Sequence, residues 1–114
     1  MNREIKFRAW DKENEIMLKW NRHIKKSFYE FIAHSQFIVM QYTGLADKRG
    51  REIYAGDIVK NSNDELLFIA GSNDKAGLSI YDSVTGERGI LDKNNAEIVE
   101  IVGNKFKDSE LLQE

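Results

Sequence analysis

The chain has 114 residues, a net charge of −2, 41% hydrophobic residues, and neither cysteine nor proline. That length suits one domain spanning residues 1–114, and the composition excludes global disorder. Without cysteine there is no disulfide scaffold, thiolate metal site or cysteine nucleophile.

Residues 5–10, "IKFRAW", alternate. Ile5, Phe7 and Ala9 share one face, and Lys6, Arg8 and Trp10 the other. Period two predicts a half-buried strand. "DKEN" supplies turn chemistry, and in "EIMLKW" Ile16, Leu18 and Trp20 fall in phase. Residues 4–20 therefore read as a β-hairpin with a four-residue loop, with Phe7 and Trp20 toward the core. The period then changes. Ile24, Phe28, Phe31 and Ile32 form one stripe of a helix over 22–34, with Asn21 as N-cap.

"QFIVMQYTG" predicts a strand that stops at Gly44. "ADKRG" turns the chain, and "REIYAGDIVK" follows. "ELLFIAG" reads as a strand covered on both faces, and "AGLSIYDS" as an alternating one. "VTGER" is a turn, "GIL" a brief strand and "DKNN" another turn. "AEIVEIVG" reads as the last strand. "NKFKDSELLQE" closes the chain as one or two helical turns, with Asp108 as N-cap and Glu110 in the first turn. Short strands with glycine turns imply a mostly antiparallel β-barrel or β-sandwich, joined by a helix in the N-terminal third and a short C-terminal helix.

Within residues 41–60, Asp47 to Gly50 has hairpin-loop chemistry. An aspartate at the first position accepts nearby backbone N–H groups, and a glycine at the last supplies φ > 0. Asp57, directly after Gly56, suits the capping of backbone donors at a strand entry. Asp47 and Asp57 could instead be a carboxylate pair or metal ligands. Turn capping is the favoured reading. The glycines match neither phosphate-loop spacing, and the two histidines, His23 and His34, lack zinc-pair spacing. No catalytic residue, metal site or cofactor site is expected.

The block "QYTGLADKRGREIYAGDIVK" closely resembles the signature of the YopX-like phage and prophage proteins, which carry Q-Y-T-G-L-x-D-x-x-G-x-E-I-Y-x-G-D-I-V. "IKFRAWDKENEIM" looks like that family's opening and "EIVGNKFKDSELL" like its ending. The three blocks cover residues 5–17, 41–60 and 98–112 in the right order. Ser109 stands where the family often has proline, and Ala55 where an acidic or polar residue is common. The resemblance implies a small, mostly β accessory protein encoded by phages or prophages, and it assigns no biochemical role.

The charge is uneven. Residues 1–60 hold twelve Lys/Arg against eight Asp/Glu, and residues 61–114 five against eleven. Such a split suits a basic face for nucleic acid, or subunits that pair a positive half with a negative one. The leading expectation is a protein-interaction module, including self-association as a homo-oligomer, with Tyr42, Arg49, Arg51, Tyr54 and Lys60 as its surface. The alternative is nucleic-acid binding through Lys19, Arg22, Lys25 and Lys26. The charged N-terminus and the absence of a long apolar run predict a cytoplasmic protein with no membrane partner.

Overall fold

In the computed structural model, which describes residues 5–21, 30, 33–71 and 77–112, the expected first hairpin is present. Strand β1 (Phe7–Asp11) pairs antiparallel with β2 (Ile16–Leu18), Trp10 opposite Met17. Four residues connect them. The turn is held by Asp11, whose Oδ1 accepts the Glu13 and Asn14 N–H groups at 3.0 and 3.1 Å. Both faces of β1 are covered, not the Phe7–Ala9 face alone: Ala9 is buried on that face, and Trp10 is buried on the other. Trp10 is buried and packs with Met17, while Ile16 is half exposed. Trp20 is only partly buried, edge-on to Phe7 at 5.7 Å. Alternation fixes which residues share a face. It does not say whether one face or both meet the rest of the protein.

The helix predicted over 22–34 falls mostly outside the described residues. Of that segment, Glu30 and Ala33 are helical, and the His34 N–H donates to the Glu30 carbonyl at 3.2 Å. The fully bounded helical elements among the described residues are two short ones near the C-terminus.

Strand β3 (Phe37–Ala46) pairs with β1, and β4 (Glu52–Tyr54) pairs with β3, giving a four-stranded antiparallel sheet in the order β2-β1-β3-β4. The predicted stop at Gly44 does not occur. The strand runs through it with φ +83°, and the register slips between Tyr42 and Ala46. Glycine at positive φ lets a bulge form without ending the pairing.

After Tyr54 the chain changes sheet. Strands β5 (Asp57–Lys60), β6 (Leu66–Gly71), β7 (Leu78–Asp82), β8 (Gly86–Ile90) and β9 (Glu100–Asn104) form a second antiparallel sheet in the order β8-β7-β6-β5-β9. The change takes two residues, Ala55 and Gly56. Among the described residues neither strand order closes on itself, and the expected mostly antiparallel β architecture is realised as two sheets. β6 alternates rather than being fully covered on both faces: Leu67 and Ile69 enter the core, while Phe68 is half-buried and stacks on its cross-strand neighbour Tyr81 at 5.4 Å.

The C-terminal segment departs from expectation in two places. "DKNN" is not a bare turn. Asp92 caps a short helix α1 (Lys93–Ala96) through a reciprocal capping box with Asn95. That helix takes up Ala96, so the last strand begins at Glu100 rather than at residue 96. At the end, Ser109–Leu112 is a 3-10 turn with Glu110 in its first turn. The Asp108 carboxylate does not cap it. It reaches back to accept the Asn104 N–H at 2.9 Å.

β4 serves two cores at once. Ile53 enters a cluster with Val59, Leu67, Ile69, Ile80 and Val99, while its neighbour Tyr54 enters one with Trp10 and Met40. Successive residues of a strand point to opposite faces, so three residues tie both clusters together. Burying each such aliphatic side chain contributes about 1.5–3 kcal/mol.

Gly56 is the tightest point of the crossing. Its φ is +94°, and a Cβ there would lie 3.0 Å from Met40 Sδ and 3.1 Å from Phe106 Cε2. Its N–H donates to Ile69 and its carbonyl accepts from Lys105, each at 2.7 Å. Gly56→Ala is expected to cost about 2–4 kcal/mol in urea unfolding, combining left-handed strain with overpacking. An unchanged midpoint would show that the crossing relaxes freely.

Candidate functional site

The buried carboxylates act as acceptors that tie the two sheets together. Asp47 directly follows β3, and its side chain is inaccessible to solvent. Oδ1 accepts the Arg49 and Arg51 N–H groups at 2.9 Å, as the hairpin chemistry predicts. Oδ2 does what the local sequence does not announce. It accepts the Ile101 N–H of β9 at 2.9 Å, while the Arg51 guanidinium donates to the Ile101 carbonyl at 2.7 Å. The Lys48 N–H also donates to the Val99 carbonyl at 2.9 Å. The hairpin therefore covers the outer edge of β9, which would otherwise present unpaired backbone groups. Burial alone would push the Asp47 carboxyl up. The Ile101, Arg51 and Arg49 N–H groups and the Arg51 charge outweigh it, and the carboxyl lies below its ordinary value.

Asp57 caps the Tyr54 N–H at 2.8 Å, as its place after Gly56 predicts. It also pairs with the Arg8 guanidinium from β1, joining the two sheets by an ion pair. Arg8 stacks on the Tyr54 ring, Cζ 4.4 Å from the centroid. Burial pushes the Asp57 carboxyl above its ordinary value, and the Arg8 charge and the Tyr54 N–H pull against it without prevailing. Arg8 Nε is buried without a hydrogen-bond acceptor. A donor left so costs about 1–3 kcal/mol. Asp47 and Asp57 each have their own partners and do not act as a pair. Among the described residues no group of three or more His, Cys, Asp or Glu is arranged to hold a metal.

The expected interaction residues are dispersed. Tyr42 and Tyr54 do meet, with ring centroids 5.5 Å apart, and Lys6 lies over Tyr42. Tyr54 is buried rather than a rim residue. Arg49 and Arg51 converge on Glu100, at 3.1 and 3.8 Å, with Lys48 at 4.0 Å. Part of the charge split between the two halves is thus used inside the chain. Lys60 stands apart, paired with Asp64 across a surface turn. Of the basic patch, Lys19 is described and exposed, and Arg22, Lys25 and Lys26 lie outside the described residues.

A groove opens where the four-stranded sheet meets β9. One hollow of 590 Å³ has Lys6, Arg8, Lys19 and Arg51 as its cations and Glu52, paired with Lys6, as its carboxylate. Met17, Trp20, Tyr54 and Ile101 form its apolar wall. A second hollow of 450 Å³ shares Arg8, Met17, Arg51 and Ile101 with the first, and adds Lys107, Asp108 and Val102. Sequence reading missed Lys6 as a member of a site. It places Arg8 on one strand face with Trp10, as a surface cation–π pair or part of an interface, whereas the ring that Arg8 stacks on is Tyr54. The available signal was that Lys6 and Arg8 share a strand face with Trp10, an unusual place for two cations unless something anionic or aromatic receives them.

The YopX protein family model matches residues 6–113. The structure is similar to the crystal structure of protein EF1440 from Enterococcus faecalis, with a TM-score of 0.61 and 22% identity over 98% of this chain and 100% of that one. At that identity the likeness concerns the fold. No curated protein matches the chain.

Proposed function

Since the chain belongs to the YopX protein family, and family membership supplies a fold rather than a chemistry, we propose that it works by binding a protein partner, without catalysis. The setting proposed is the bacterial cytoplasm, with the partner drawn from a phage or its host. One observation carries this reading. The groove beside β9 gathers four cations around an apolar wall, while Asp47 and Asp57 are committed to backbone donors and arginines. Aromatic and arginine side chains around a hollow suit an interface.

Self-association is the weaker form of the proposal, because Lys48, Arg49 and Arg51 already neutralise Glu100 within the chain. Nucleic acid is the second reading, favoured by Lys19 beside Trp20 in the same hollow.

The test is capture on immobilised protein with chemical cross-linking, followed by calorimetry with the purified partner. A protein that binds saturably in a one-to-one ratio is the expected result. Absence of any saturable protein partner, together with a monomer by light scattering at low and high salt, would remove the interaction reading altogether.

A further inference from the structure

We propose that the groove beside β9 is a docking site for an extended acidic peptide segment in which carboxylates alternate with apolar side chains. The inference rests on the binding reading above and names the partner's chemistry. Its uncompensated charge is positive. Lys6 and Arg8 have carboxylate partners, in Glu52 and Asp57. Lys19 and Lys107 have no ion pair among the described residues, and the Arg51 side chain is 48% exposed.

Arg8 is the anchor. It lies at the junction of both hollows, fixed by the Tyr54 ring on its face and Asp57 at one nitrogen. A guanidinium held in this way loses little freedom when it meets a carboxylate. Met17 and Ile101 run along both hollows, and Val102, 39% exposed, lies in the second. An unbranched methionine adapts to varied apolar side chains.

The carboxylates in the groove decide between peptide and nucleic acid. Glu52 lines the first hollow, and Asp57 and Asp108 the second. A nucleic-acid strand carries a phosphate on every nucleotide and can leave no position uncharged, so some phosphates would face these carboxylates. In an extended peptide, same-face side chains are about 6.8 Å apart. Acidic groups can then meet Arg8, Lys19 and Arg51 while apolar ones lie on Met17 and Val102.

The experiment uses a fluorescein-labelled, end-capped octapeptide alternating Glu and Leu, read by anisotropy. A Lys–Leu octapeptide and an eight-nucleotide thymidine strand serve as controls. The Glu–Leu peptide should bind saturably, weaken as salt rises, and lose at least tenfold in affinity with Lys19→Glu and with Lys107→Glu. Both residues are exposed, so the variants should keep the wild-type unfolding midpoint. Arg8→Gln should abolish binding, and circular dichroism separates that effect from loss of the fold.

The proposal is overturned by no binding of the Glu–Leu peptide at low salt. Equal binding of the Lys–Leu peptide, tighter binding of the thymidine strand, or an affinity unmoved by Lys19→Glu would also overturn it. A protein partner retained at full strength by both lysine variants would keep the binding reading and discard the groove.

Discussion

Asp57→Ala is expected to lower the unfolding free energy by about 3–5 kcal/mol, the cost of leaving a buried charge without its partner. The carboxylate is 1% exposed, pairs with Arg8 and accepts the Tyr54 N–H. Its removal strands a guanidinium that already has one donor without an acceptor, and it uncaps the turn where the chain changes sheet. Urea unfolding of the single variants Asp57→Leu and Arg8→Met, and of the double variant, separates the pair from its surroundings. The double variant should be markedly more stable than the sum of the two singles predicts, because an apolar pair of similar volume removes both charges from the interior. Additive losses would show that the two side chains act independently.

Asp47→Ala is expected to cost about 2–4 kcal/mol. It removes the acceptor of three backbone N–H groups, and a buried donor left unpaired costs about 1–3 kcal/mol. The loss is local first. In hydrogen exchange the Ile101 amide should lose protection more than the amides of β6, because Asp47 Oδ2 is its acceptor. Unchanged protection at Ile101 would refute the role of Asp47 as the cover of the β9 edge.

The same variant tests the acid limb. The Asp47 carboxyl titrates below its ordinary value in the folded protein. Its contribution is therefore complete above the unfolded value of about 3.9 and is lost as pH falls through the lower folded value. Asp57 has the opposite sign. Its raised folded value makes the native state hold the proton more firmly, so its term favours folding as pH falls toward 3.8. Between about pH 4 and pH 2, Asp47→Ala should flatten the fall in stability. Asp57→Asn should act above about pH 4 instead, removing the gain in stability that wild type shows as pH falls toward 3.8.

Much of the fold is written in local patterns. Alternation in residues 5–20 gives the first hairpin. Asp at 47 and Gly at 50 give the second, with the Gly50 N–H donating to the Asp47 carbonyl at 2.9 Å. Gly56-Asp57 gives a strand entry. These features rest on contacts within a few residues, where chain connectivity limits the choices. The site is less legible for the same reason. Arg8 and Asp57 are 49 residues apart, and Asp47 and Ile101 are 54 apart. No local pattern says that a turn-capping aspartate has a second oxygen aimed at another sheet.

The sequence by itself determined the family block, the antiparallel β class and the turn aspartates. Only the tertiary structure decided that both faces of β1 are covered, that "REIYAGDIVK" is divided between two sheets, and that Lys6, Arg8, Lys19 and Arg51 share a groove. The physical reason is that period and turn chemistry are properties of neighbouring residues. Burial of a face, and the partner of a charge, depend on what a distant strand brings against it.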